Sequence, residues 1–117
     1  MSIRVELAEL RDTARGQAPF AYLLTVSDDA AAHAVAITPD IGDGSITCDA
    51  GTRSCANASA RPKVSLLWPP ARPDDYSLIV DGHASVDGST VRITPERAVR
   101  HRPAPGGGSD CAPVALQ

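Results

Sequence analysis

Short apolar segments alternate with turn-forming residues along most of the chain. The turns contain glycine, proline, aspartate and serine, and the segments between them are rich in valine, isoleucine, leucine and alanine. Short segments with even turn spacing are typical of the antiparallel strands of a closed or nearly closed barrel. The pattern predicts six strands, at residues 20–26, 33–38, 45–49, 63–68, 76–86 and 91–93.

The turn residues also predict how these strands are connected. The first three predicted strands are joined by short turns, which favours an antiparallel meander. Asp81-Gly82 interrupts the fifth strand, where the sequence predicts a bulge or bend. Asp87-Gly88 marks a hairpin turn between the fifth and sixth strands.

Three segments break the strand pattern and are predicted as helices. Residues 5–15 carry an imperfect amphipathic stripe and are followed by a glycine, a common helix terminator. Residues 51–60 form the second helix, with Thr52 as its N-cap, and Pro62 ends it because the residue before a proline avoids helical geometry. Residues 94–97 have a hydroxyl, a proline and a glutamate in the order of a helix start.

The chain of 117 residues fits a single domain, which we place at 5–103, followed by a flexible tail at 104–117. Hydrophobic residues make up 43% and aromatic residues 3%, so aliphatic side chains are expected to form the core. A net charge of −3 argues against a general nucleic-acid binder. No apolar run approaches the roughly 20 residues of a membrane span, and no secretory signal is visible, which predicts a cytoplasmic protein.

Several kinds of catalytic site are excluded by the motifs. There is no Gly-x-Ser-x-Gly nucleophile setting, and the one glycine run lacks the strand and helix of a dinucleotide-binding fingerprint, so hydrolase and Rossmann functions are not expected. Neither the cysteines nor the histidines show the paired spacing of a metal site: Cys48, Cys55, Cys111, His33, His83 and His101.

The start of the second predicted helix has the chemistry of an anion-binding site. Thr52-Arg53-Ser54 places two hydroxyls and one guanidinium where a helix has unpaired backbone N–H groups and a favourable dipole. Thr52 and Ser54 also fit plain capping roles, and Arg53 also fits ordinary solvated surface. A phosphate seat is the functional hypothesis for this segment.

Four segments around this helix occur in a recognisable order. They are Ile46-Thr47-Cys48, Thr52-Arg53-Ser54, Arg61-Pro62 and Lys63-Val64-Ser65-Leu66-Leu67-Trp68. This order resembles the pyridoxamine-phosphate-oxidase-like, FMN-binding split barrels, and the likeness spans roughly residues 5–103. The resemblance implies a mainly β fold, a six-stranded antiparallel split β-barrel with Greek-key connections and short flanking helices.

The resemblance also implies a cofactor, a partner and a set of site residues. In that family FMN lies at a homodimer interface, with its ring on the second strand and its phosphate on the turn after the third. A homodimer acting on a small-molecule substrate is therefore expected. Lys63 either faces the bound anion or protects a strand edge. The other implied cofactor positions are His33, Ala34, Val35, Ala36 and Ile37 for the ring, and Cys48, Thr52, Arg53 and Ser54 for the phosphate.

Two residues depart from the family pattern. Ser54 stands where the family often has a lysine, and Thr38 stands where many members have a basic residue. Each charge-assisted contact contributes about 1.5–3 kcal/mol, so FMN affinity is expected to be lower by roughly one to two orders of magnitude.

A second basic group lies outside the implied site. Arg100-His101-Arg102 follows the third predicted helix, whose C-terminus would attract such charges through the helix dipole. A contact with an anion across a subunit interface is the alternative.

Two functions from different classes therefore follow from the sequence. The first is an FMN-dependent oxidoreductase, in which the flavin carries the redox chemistry and the polypeptide orients it. The second is a non-catalytic split-barrel dimer that binds or senses a cofactor or a partner. A deazaflavin-dependent reductase is a further possibility within the enzyme class.

Overall fold

The computed structural model describes residues 1–104, so the predicted tail lies, apart from Ala104, outside the described residues. Strands make up most of the described chain, and one α-helix of nine residues is the longest helix in it. The elements are β1 (Ser2–Val5), a 3-10 turn (Leu7–Glu9), α1 (Leu10–Arg15), β2 (Ala21–Val26), β3 (Ala32–Ile37), β4 (Asp40–Ile41), β5 (Ile46–Asp49), α2 (Thr52–Ala60), β6 (Lys63–Trp68), β7 (Ser77–Asp87) and β8 (Thr90–His101).

The strands form one curled antiparallel sheet with the shape of a half-barrel. Their order is β3-β2-β6-β7-β8-β5-β4, and β1 also pairs with β8. All six predicted strands are present, and the short strands β1 and β4 add to them. The predicted mainly β, antiparallel split-barrel class is therefore confirmed.

The predicted meander is wrong, because β5 does not pair with β3. It pairs with β8 on one side and with β4 on the other. Pro39 follows β3 and has no backbone N–H to continue the ladder. Residues 40–47 instead form a small hairpin, closed by a hydrogen bond from the Gly42 N–H to the Ser45 carbonyl (2.8 Å). Through this hairpin β4 becomes the edge strand beside β5, at the opposite end of the strand order from β3.

The predicted helix at 5–15 is confirmed only in its later part, and the predicted helix at 94–97 is wrong. The segment 5–15 begins as strand, since Val5 is buried and pairs with Ala98 of β8, and only Leu10–Arg15 is α-helical. Residues 94–97 lie within β8, where Arg97 pairs with Asp81 of β7 and their side chains form an ion pair at 3.4 Å. In both places the backbone hydrogen bonds of the ladder outweigh a local helical preference.

The predicted bulge and hairpin in the long β7–β8 ribbon are confirmed. The register shifts between Asp81 and Gly82, so that Gly82 lies opposite Pro95 and Glu96 has no partner in the ladder. The two strands are joined by a two-residue turn in which Gly88 has a φ of +63°, a conformation that favours glycine.

The core lies on the concave face of the sheet and is aliphatic, as predicted from the composition. Trp68 is buried at one end of β6, and the opposite end of the core is covered by α2, which packs against β2 and β7. Burying each such side chain contributes about 1.5–3 kcal/mol. The largest fully buried apolar side chains are Leu23, Ile46, Leu66, Leu78, Val80, Val91 and Ile93.

Candidate functional site

The N-terminus of α2 has unpaired backbone donors. Its N-cap is Gly51, in an extended conformation, and this residue has no side chain to cap the helix, so the prediction of Thr52 as N-cap is wrong. The first helical hydrogen bond runs from the Cys55 N–H to the Gly51 carbonyl at 3.0 Å. Within residues 1–104, the N–H groups of Thr52, Arg53 and Ser54 therefore have no backbone acceptor.

A cleft of about 520 Å³ joins this helix start to β3. Arg53 comes from the first turn of α2, and His33, a half-buried residue, comes from β3. The structure thus brings together one residue from each of the two segments predicted to hold the flavin. The remaining lining residues are Ser27, Asp28, Asp29, Ala31, Ala32 and Asn57.

The cleft contains one guanidinium without a partner and two carboxylates. Arg53 is exposed and has no ion pair or hydrogen bond from its side chain to any residue in 1–104. Asp28 is paired with Arg61 at 2.8 Å. The hydroxyl of Ser27 donates to Asp29, and this bond, followed by the backbone N–H of Asp29 itself, holds the pKa of Asp29 below its usual value. Because Asp28 is already paired with Arg61, Arg53 is the cation among the described lining residues that is available to an anionic ligand.

The predicted ring-side positions on β3 lie on both faces of the sheet. His33, Val35 and Ile37 are on the concave side, and Ile37 is buried. Ala34 and Ala36 point to the convex side and are exposed. A planar ligand packed on one face of β3 would therefore contact the side chains that point to that face. Of the residues that point to the other face, it would contact only the backbone.

Three of the predicted phosphate-side residues lie away from the cleft surface. Cys48 and Ser54 are buried, at 5% and 1% exposure, so neither side chain is accessible from solvent in this chain. Lys63 is exposed but lines a different groove, which it shares with Asp81 and Glu96. Thr52 is exposed beside Arg53 and remains a candidate contact.

Asn57 is a site residue that the sequence interpretation missed. It is 5% exposed, lines the cleft, and its side-chain amide donates to the Thr25 hydroxyl of β2 at 3.1 Å. This bond joins α2 to β2 directly below the cleft. The available signal was its spacing, because Asn57 lies three residues after Ser54 on the buried side of an alanine-rich helix.

The thiol of Cys48 is protected by the core beneath this site. Burial raises its pKa from 9.0 to about 11, with smaller contributions from the charges of Asp49 and Cys55. A thiol whose pKa is raised by folding stabilises the fold fully below pH 9, and this contribution is lost as the pH rises through 11.

We expect Cys48 to be alkylated at pH 8 at least about a hundredfold more slowly in the folded protein than in the urea-unfolded chain. The physical reason is the smaller thiolate fraction, to which burial adds steric protection. Peptide mass spectrometry after iodoacetamide treatment measures both rates, and a Cys48→Ala variant identifies the signal. Equal rates in the two states would show that β5 opens readily.

The described part of the chain holds neither a metal-binding cluster nor a membrane-spanning helix. In residues 1–104, no group of three or more histidine, cysteine, aspartate or glutamate side chains is placed to hold a metal ion. In the same residues, no helix is long and apolar enough to cross a membrane.

Two bacterial relatives match the chain over most of its length. Uncharacterized proteins from Mycobacterium bovis and Mycobacterium tuberculosis are each 42% identical to it over 103 residues, which covers 74% of this chain and 72% of theirs. No protein-family model matches the chain.

Solved structures with the same fold are more distant in sequence. A candidate pyridoxamine 5'-phosphate oxidase from Listeria innocua has a TM-score of 0.64 at 19% identity, with 80% of this chain and 96% of that chain covered. A FAD-binding protein from Mycobacterium smegmatis has a TM-score of 0.65 at 19% identity, covering 87% and 100%. An F420 reductase has a TM-score of 0.61 at 13% identity, covering 74% and 94%.

The fold is therefore the split barrel of the pyridoxamine 5'-phosphate oxidase-like proteins, which confirms the predicted resemblance. Within this fold, the chain belongs to the same family as the two mycobacterial relatives.

Proposed function

We propose that this protein is an oxidoreductase that binds a flavin nucleotide, FMN, in the cleft between α2 and β3. The observation that carries the proposal is the meeting of Arg53, the uncapped start of α2 and His33 in one cleft. Two segments that are far apart in sequence supply the two kinds of contact that a flavin nucleotide needs, a cationic seat and a strand surface.

The phosphate contacts would come from the helix start. The N–H groups of residues 52–54 and the Arg53 guanidinium are donors without partners among the described residues, and helix N-termini favour anions. Arg61 neutralises Asp28 at 2.8 Å and so reduces the repulsion that an incoming phosphate would meet. Asp29 remains uncompensated by a cation, which makes Arg53 the decisive charge.

The ring would lie against β3, where His33 and Val35 are half-buried. When bound, a flavin supplies hydride or electron transfer, and the residues around it orient it and exclude water. The proposal is supported by proteins of the same fold, namely a FAD-binding protein and an F420 reductase. The substrate contacts would come from the exposed loop at residues 69–75.

The convex face of the sheet supports a homodimer. Tyr22 and Val26 of β2 are each 38% exposed, and the small side chains of Ala34 and Ala36 on β3 lie beside them. This forms an exposed apolar surface next to the cleft. A second copy packed there would bury it and close the cleft, as the resemblance implies.

The native absorption spectrum and an FMN titration test this function. Purified protein should show flavin bands or bind added FMN with quenching of its fluorescence, and sedimentation of the same sample gives the dimer. Arg53→Ala is expected to weaken FMN binding by about 1.5–3 kcal/mol because it removes the one available charge-assisted contact. The matched control is Arg15→Ala, an exposed arginine at the end of α1 whose side chain pairs with Asp12 at 3.4 Å, and this variant should bind FMN like the original protein.

Unchanged affinity of the Arg53→Ala variant would contradict the phosphate seat at α2. Colourless protein that also fails to bind FMN would contradict the flavin function as a whole.

A second candidate is a split-barrel dimer that binds or senses a cofactor or partner without turnover. It is favoured by the burial of Ser54, because this side chain adds neither charge nor hydroxyl to the cleft and Arg53 stands alone. The spectrum identifies the bound cofactor, since a deazaflavin or a haem has absorption bands distinct from those of FMN, and reduction and reoxidation of that cofactor by an added electron donor and acceptor separate an enzyme from a non-catalytic dimer.

A further inference from the structure

Two arginines near the end of β8 share one aromatic ring. The Cζ atom of Arg100 lies 4.6 Å from the ring centroid of Tyr76, and that of Arg102 lies 4.4 Å from it. Tyr76 immediately precedes β7, whose first residue pairs with His101. Side chains 100 and 102 therefore point to the same side of β8, towards the ring. We call these three residues the arginine–tyrosine cluster.

The guanidiniums in this cluster are poorly satisfied. Neither donates a hydrogen bond to any residue in 1–104, and the Nε atoms of both are buried without a partner in this part of the chain. The ion pair from Arg100 to Asp75 is long, at 3.9 Å, and Asp75 is half-exposed. Contact with the Tyr76 ring restrains both guanidinium groups, but it leaves most of their N–H donors unused.

The cluster is not explained by local stability. The predicted helix, whose dipole would have attracted these charges, does not exist, because β8 runs to His101. Two like charges held together with buried unpaired donors oppose folding. Costs of this kind are retained mainly at functional sites, where the arrangement is completed by a ligand.

We propose that the arginine–tyrosine cluster is an oxyanion site that takes the phosphate group of a small molecule. Two guanidiniums and one distant carboxylate leave a net positive charge, which fits a doubly charged oxyanion better than a carboxylate. The buried Nε atoms leave the terminal Nη groups for the contact, and 38% of the Arg100 side chain is exposed. Tyr76 acts as the platform that both guanidiniums contact, with their Cζ atoms 4.6 and 4.4 Å from its ring centroid.

This site is separate from the proposed flavin seat within one chain. The residue before Gly51, Ala50, bonds to Ser89 in the β7–β8 turn at 2.9 Å. Arg100 lies eleven residues further along β8, which corresponds to a distance on the order of 30 Å at about 3.3 Å per residue. The two proposals can therefore fail independently.

The test is a titration of inorganic phosphate into the full chain carrying Arg53→Ala. This background removes the guanidinium of the other candidate phosphate seat. Chloride is lowered as phosphate is added, so that the ionic strength stays constant. Binding is followed by calorimetry and by the arginine Nε–H resonances in nitrogen-15 NMR spectra, assigned from the single lysine variants. We expect the resonances of Arg100 and Arg102 to shift saturably with the same midpoint.

Variants separate a binding role from a structural one. Arg100→Lys with Arg102→Lys keeps both charges but removes the planar forks, and should weaken phosphate binding by about tenfold or more. Tyr76→Leu removes the platform and should weaken it similarly, whereas Tyr76→Phe keeps the ring and should stay within about twofold. Arg92→Lys is the matched control, because Arg92 is exposed on the same strand, and it should bind like its parent.

The proposal is overturned if phosphate shifts neither resonance, or if the double lysine variant binds as tightly as its parent. It is also overturned if phosphate binding depends on Arg92 as strongly as on the cluster. If Tyr76→Leu does not fold, the lysine variants still test the proposal, because they retain the Tyr76 ring and both positive charges. Loss of FMN binding by Arg53→Ala with intact phosphate binding at the cluster would show that the two sites are distinct.

Discussion

Replacing Ser54 with lysine is expected to destabilise the fold by about 3–5 kcal/mol, although the resemblance often places a lysine at this position. Ser54 is 1% exposed and lies on the side of α2 that faces the core, together with Asn57 and Ala58. A lysine there must bury its ammonium group without a partner or displace the helix. Adding the expected charge should therefore disrupt the cleft rather than improve it.

Urea unfolding, followed by circular dichroism, measures this effect. Ser59→Lys is the matched control, because Ser59 is exposed on the same helix and its replacement should change the free energy of unfolding by less than about 0.5 kcal/mol. Equal stability of the two variants, with tighter FMN binding by Ser54→Lys, would show that the longer side chain reaches the cleft surface.

Replacing Gly82 with alanine is expected to cost about 3 kcal/mol of unfolding free energy. A β-carbon at this position would lie 2.6 Å from the Thr94 carbonyl oxygen and 2.7 Å from Cγ2 of Ile93. Both distances are shorter than van der Waals contact, and the first partner is backbone, so β7 and β8 would have to separate at the bulge. Thermal and urea unfolding both report the loss.

The control for this variant is Gly42→Ala. Its β-carbon would meet the Ser45 carbonyl oxygen at an ordinary 3.7 Å, and its stability should remain within about 0.5 kcal/mol of the original protein. A Gly82→Ala protein that is as stable as the Gly42→Ala protein would show that the ribbon relaxes at the bulge without loss.

The sequence was sufficient for the strand pattern and for α2. Short apolar runs bounded by turn residues predicted β2, β6 and β7, although burial alternates along strands whose apolar residues are nearly continuous. The end of α2 was also predictable, because Arg61 precedes a proline and leaves helical geometry, with a φ of −131°.

Long-range pairing was the part that local patterns could not supply. Val5 pairs with Ala98, a residue 93 positions away in the chain, and this contact turns a segment with a helical stripe into a strand. Likewise, β5 follows β3 in sequence but pairs with β8. Neither of these strand pairings can be predicted from the neighbouring residues in sequence, because each pairing depends on which distant strand has an unpaired edge.

The candidate site was likewise predictable from local sequence only in part. Arg53 and Thr52 lie at the exposed helix start, as a short hydrophilic turn before a helix predicts. The burial of Ser54 depends instead on which side of α2 meets β2 and β7, and a nine-residue helix rich in alanine gives little signal for that choice. Asn57 was missed for the same reason.

The two-residue turn between β7 and β8 also affects how the chain must search for its fold. It closes the longest ladder of the sheet with the smallest loop, so the entropy lost in bringing these two strands together is low. By contrast, β5 reaches β8 only after closing a loop of 40 residues, from 50 to 89, and β1 is more distant still. The ribbon lies in the middle of the strand order, with β6 on one side and β5 on the other. Once formed, it provides the edges on which the distant strands can add.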